Sequence, residues 1–119
     1  ELQLVTNGAS SIVINVTGGS LNFSGVNFVG DWNTPAVRST TLWNFHQATS
    51  LTLQNAWNGA LLAPGATVTN FNNLEGGAYV GSLIQRGEVH LPQYTGFIPT
   101  PGSVALLGLS GLVAARRRR

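Results

Sequence analysis

The chain of 119 residues contains no cysteine and no lysine, and charged side chains make up only 8% of it. Without cysteine there are no disulfides, no zinc ribbons and no thiol nucleophiles. The formal net charge of +2 is also misleading, because four of the six arginines are the terminal run Arg116–Arg119. The body keeps Arg38 and Arg86 against Glu1, Asp31, Glu75 and Glu88, which makes it net negative. Such a surface has no electrostatic footprint for nucleic acid, whose affinity comes from neutralising phosphates. Long apolar runs are missing too, apart from Ser103–Ala115 near the end.

What the body does have is Asn, Thr, Ser and Gly set between short β-branched and aromatic runs. That composition favours strands and turns over helices. Short alternating runs read as strands at Leu2–Val5, Ile12–Val16, Leu21–Ser24, Leu42–Phe45, Leu51–Leu53, Ala60–Ala63, Thr67–Thr69, Ala78–Val80, Ser82–Ile84 and Glu88–His90. The pattern lapses from about Gly30 to Ser39, where Asp31, Asn33, Pro35 and Arg38 mark a loop. No stretch before Ser103 holds a helical period for three turns, so the body is all-β.

A repeat of 17 positions runs through the middle. Leu51-Thr52 matches Val68-Thr69, Trp57-Asn58-Gly59 matches Leu74-Glu75-Gly76, and Leu61-Leu62-Ala63 matches Ala78-Tyr79-Val80. Very short strands at this spacing suit a β-solenoid (β-helix-like), in which each coil stacks its apolar positions on the next. The alternative is a β-sandwich, which would show longer strands at steadier spacing.

The run Leu42-Trp43-Asn44-Phe45-His46-Gln47-Ala48-Thr49-Ser50-Leu51-Thr52-Leu53 resembles the motif of the choice-of-anchor A family of bacterial surface proteins. The likeness continues through Gly59–Val68, Leu74-Glu75-Gly76, Gly87–His90 and Tyr94-Thr95-Gly96, and covers about residues 10 to 98. His46 stands where that family has Pro, and Tyr94 where it has Phe. The resemblance implies an exported, adhesive, non-enzymatic surface domain over 1–98, distantly similar to β-helical ice-binding proteins. The chain is short for that family and begins at Glu1, which predicts a missing N-terminal portion and signal peptide.

Residues 99–119 resemble a PEP-CTERM sorting signal: Pro99, Thr100 and Pro101, a short apolar stretch, then Arg116, Arg117, Arg118 and Arg119. Thr100 replaces the usual glutamate. This resemblance implies processing by an exosortase in a Gram-negative bacterium that makes extracellular polysaccharide. Residues 103–115 as a hydrophobic helix would measure about 20 Å, short of the roughly 30 Å bilayer core. That length predicts transient insertion in the inner membrane, with the arginines held on the cytoplasmic side. The body then lies outside, on the cell surface or in the extracellular matrix. Leu91-Pro92-Gln93-Tyr94-Thr95-Gly96 differs from an LPxTG sortase signal by one extra residue, which spoils its spacing.

No residue pattern points to catalysis or to a cofactor. Glu88 and His90 project to the same side of a strand, as a weak cation site or as a structural hydrogen bond. Asp31 and Glu75 are the pair a glycoside hydrolase would need, but nothing in the sequence brings them together. Trp32 and Trp57 sit beside Asn and Gly in turns; each is either a ligand-stacking indole or core, whereas Trp43 reads as core. Thr52, Thr67 and Thr69 are candidates for an ice-binding face, although they make no regular T-x-T ladder. The sequence therefore predicts an adhesin for extracellular polysaccharide or matrix protein, with ice binding and an envelope carbohydrate-active enzyme as alternatives.

Overall fold

The computed structural model describes residues 1–96. The strands are β1 (Leu2–Leu4), β2 (Ile12–Asn15), β3 (Ser20–Phe23), β4 (Phe28–Gly30), β5 (Thr41–Asn44), β6 (Ser50–Leu53), β7 (Trp57–Asn58), β8 (Ala60–Asn70), β9 (Leu74–Glu75), β10 (Ala78–Gln85) and β11 (Val89–His90). Every strand pair among the described residues is parallel. A sandwich of hairpins would pair its strands antiparallel, so this alternative does not describe the molecule. The parallel, curled arrangement fits a solenoid-like fold.

The winding is visible in β8. Its first half pairs with β5 and its second half with β6, and β10 follows it along both halves. The bend between the halves falls at the exposed Pro64-Gly65 step, where Pro withholds a ladder donor. The 17-residue repeat is the register itself: Leu51 lies opposite Val68, Trp57 opposite Leu74, and Leu61 opposite Ala78. Gly59 (φ +102°) and Gly76 (φ +156°) occupy equivalent corners of successive turns, and a Cβ on Gly76 would lie 2.5 Å from the Gly59 carbonyl oxygen. Only glycine permits both that φ and that approach.

The inward columns form one core. Phe28, Trp32, Trp43, Phe45 and Trp57 are buried in it, with the half-buried Phe23 packed against them. Ring centroids are 4.8 Å apart for Trp43 and Trp57 and 5.1 Å apart for Phe28 and Trp32, in edge-to-face geometry. A smaller cluster lies on the opposite face of β5 and β8, where Tyr94 covers Leu42 and Ala60. Thr95 N donates to Ser39 O at 2.7 Å, so residues 91–96 form a strap across the outside of that face.

The loop expected between Gly30 and Ser39 is instead a 3-10 turn, Asp31–Asn33, and a short helix α1, Pro35–Thr40. Local chemistry accounts for the difference. Thr34 caps the helix by accepting from Val37 N at 3.4 Å, and Pro35 takes the first turn, where a missing N–H costs nothing. The hydroxyls of Ser39, Thr40 and Thr41 then bond back to carbonyls of Ala36 and Val37. No helix among the described residues is long and apolar enough to cross a membrane. The hydrophobic segment 103–115 and the sorting residues Pro99, Thr100, Pro101 and Arg116–Arg119 lie outside the described residues.

Candidate functional site

The surface that stands out is the outer face of the ladder β3-β6-β8-β10. Its register aligns Ser20, Ser50, Thr67 and Ser82 in one row, and Asn22, Thr52, Thr69 and Ile84 in the next. Strand alternation explains the segregation, since successive side chains point to opposite faces. Leu51, Leu53 and Val68 are buried inside, while Ser50 and Thr67 are exposed and Thr52 and Thr69 half-buried outside. Adjacent rows on one strand are about 6.6 Å apart, and adjacent strands about 4.8 Å. The outcome is a grid of six hydroxyls, one amide and the exposed Ile84, in which none of the eight positions is charged.

The T-x-T ladder missing from the sequence is thus partly present in space. Thr67-Val68-Thr69 is one complete step, and Thr52 lies directly opposite Thr69 with Ser50 opposite Thr67. Serine completes the row on both sides of Thr67. β-Branched threonine is stiff at χ1, so its hydroxyl is held with little entropy left to lose on contact. Such a surface meets a partner by many weak, evenly spaced hydrogen bonds. It supplies neither a nucleophile with a base nor a clustered charge.

The charged residues gather elsewhere. His90 Nε2 lies 2.6 Å from Glu88 Oε2, and His90 Nδ1 lies 2.9 Å from Glu75 Oε1. Arg38 of α1 approaches the other oxygen of Glu75 at 3.6 Å. Hydrogen bonds to Glu88 and then to Glu75 raise the His90 pKa above its ordinary value of 6.5. The hydrogen-bonding role for Glu88 and His90 is what the structure shows. Glu75 was not foreseen as their partner because the repeat shortens here. The register shifts between Val80 and Ser82, and beyond it Ser82 faces Thr67, Val89 faces Leu74 and His90 faces Glu75 at a spacing of 15. The one visible trace of this is Gly81, whose added Cβ would lie 2.9 Å from the carbonyls of Pro64 and Ala66.

The remaining candidates separate. Asp31 accepts from Thr6 N at 3.0 Å and from Thr6 Oγ1 at 3.2 Å, which ties the loop after β1 to the 3-10 turn, while Glu75 is engaged by His90 and Arg38. His46 is exposed in the turn after β5. Trp32 and Trp57 are 1% and 2% exposed. Both indoles belong to the aromatic core, so neither presents a face to a ligand, and the ligand-contact reading of these two residues is corrected. Trp32 lies in the 3-10 turn after the positive-φ Gly30 and Trp57 in β7 before the positive-φ Gly59, and both rings pack into the core.

A family model described as "Putative Ice-binding-like adhesive domain" matches residues 1–91. No curated protein and no solved structure matches the chain. The matched span takes in every described strand, and with it the hydroxyl face and the core beneath it. The chain belongs to the ice-binding-like adhesive domain family.

Proposed function

We propose that this is a non-enzymatic adhesive module displayed outside the cell, wound as a β-helix-like solenoid, which makes contact through the flat face bearing Ser50, Thr52, Thr67 and Thr69. The observation that carries this reading is the register, which brings Ser50 against Thr67 and Thr52 against Thr69 on an uncharged, parallel surface. Family membership supports a surface adhesin-like role. In the fuller reading, residues 99–119 act as a PEP-CTERM-type sorting signal read by an exosortase, and residues 103–115 enter the inner membrane only in transit. The mature domain then reaches the surface or matrix of a Gram-negative cell and holds extracellular polysaccharide or matrix protein.

Adhesion of the purified chain to immobilised matrix polysaccharides and collagen tests the reading, with the Thr52→Lys/Thr69→Lys variant as control. Retention of the parent and loss in the variant is the expected result; absence of retention across the panel would overturn it. Ice is a second surface for the same face, favoured by the complete Thr67-Val68-Thr69 step. Thermal hysteresis separates it from the matrix reading.

A further inference from the structure

We propose a second binding site, separate from the hydroxyl face and not dependent on it, in a cleft lined by Asn27, Asn33, Asn55, Asn58 and Asn72; its ligand is a neutral oligosaccharide. The cleft has a volume of about 420 Å³, within the range of roughly 300–1,000 Å³ usual for small-molecule sites. Its origin is topological. The strands on this side form two separate sheets, β1-β4 and β7-β9-β11. β4 pairs with β1 and not with β7, so the ladder is interrupted between β4 and β7, and the cleft lies beside them. Asn55 and Asn72 line it from equivalent corners, each two residues ahead of the paired Trp57 and Leu74.

The amides are arranged as unused hydrogen-bonding capacity. Asn58 is only 6% exposed, yet its side-chain oxygen has no partner among the described residues. A buried acceptor left in that state is costly. Asn55 is oriented by accepting from Gly25 N at 2.7 Å, and Asn72 by accepting from Asn73 N at 2.8 Å. Each bond uses the amide oxygen and leaves the NH2 to donate. The cleft thus offers donors from Asn55 and Asn72 beside the buried amide of Asn58, whose oxygen is unpaired.

Among the described residues no charged side chain lines the cleft, so none of them balances a phosphate, a carboxylate or a metal ion. An apolar ligand would strand five amides. A peptide adding as a strand beside β7 would have to share the Asn58 carbonyl with Trp43 Nε1, which already donates to it at 2.8 Å and weakens it as a ladder acceptor. Sugar hydroxyls fit what remains, because each both donates and accepts and so satisfies either end of an amide.

The test is a side-chain amide NMR titration of the full chain at millimolar cellobiose, maltotriose and N,N′-diacetylchitobiose, with sialyllactose and a Gly/Ser peptide as comparators. At least one neutral probe should shift the NH2 signals of Asn55, Asn58 and Asn72. Asn72→Ala, at an exposed position, should weaken that probe about fivefold, the worth of one neutral hydrogen bond, and Asn22→Ala on the hydroxyl face should not. The proposal is overturned if no neutral probe moves these signals, if the shifts fall on the hydroxyl face, or if sialyllactose or the peptide binds the cleft as well as the neutral sugars do.

Discussion

Gly76 and His90 show how single residues hold the coil at its corners. Alanine at Gly76 would combine a strained φ of +156° with a Cβ 2.5 Å from the Gly59 oxygen and 2.9 Å from Ala60 N. Denaturant unfolding of Gly76→Ala should show a loss of about 2 kcal/mol or more. The effect of pH rests on His90. Its folded-state pKa is raised, so its contribution to stability is fully present below 6.5 and is lost as pH rises through the elevated value. Melting temperature should therefore fall from about pH 6 to pH 8, and His90→Gln should flatten that change. A flat profile in the parent would remove the Glu75–His90–Glu88 bridge from the account. At this scale the sequence was only partly legible. The position of His90 on the Glu88 side of its strand follows from period two, but its pairing with Glu75 depends on a register shift across Gly81. Likewise, Asn and Gly beside Trp32 and Trp57 signal turns without saying that the indoles point inward.

Among the elements, β6 and β8 carry the hydroxyl face and the 91–96 strap protects the opposite one. The pairing of β6 with β8 was readable beforehand, because residues that stack in successive coils must repeat the same inward apolar position, as Leu51 and Val68 do. Helix α1 was not readable, since six residues are too few to show a period and its evidence lies in the Thr34 cap and Pro35. Substituting Thr52 and Thr69 by lysine places charge on an outward face and leaves the core untouched. The two lysines would face each other across the β6–β8 pair, so stability to unfolding should fall by about 1–2 kcal/mol with the fold retained, while surface adhesion is lost. The strap behaves oppositely. Tyr94 packs on Leu42 and Ala60, and its hydroxyl lies 3.3 Å from Ser11 Oγ. Tyr94→Ala should cost about 2–4 kcal/mol and uncover the apolar side of β5, seen as increased binding of a hydrophobic dye.

For the molecule as a whole, the parallel, curled strand arrangement gives three surfaces with different chemistry. One is apolar and covered by the strap, one is the uncharged, hydroxyl-rich grid, and one carries the short ladder β7-β9-β11 with the charged bridge and, beside β7, the asparagine cleft. Charge is kept away from the grid, which leaves contact by shape and hydrogen bonding. The central claim is that this grid is the adhesive surface. Its most direct test is adhesion of the parent chain and of Thr52→Lys/Thr69→Lys, side by side, to the same polysaccharide- and collagen-coated surface, with circular dichroism confirming that both are folded. Retention of the parent with loss of the folded variant is the predicted result; equal retention of both would contradict the claim.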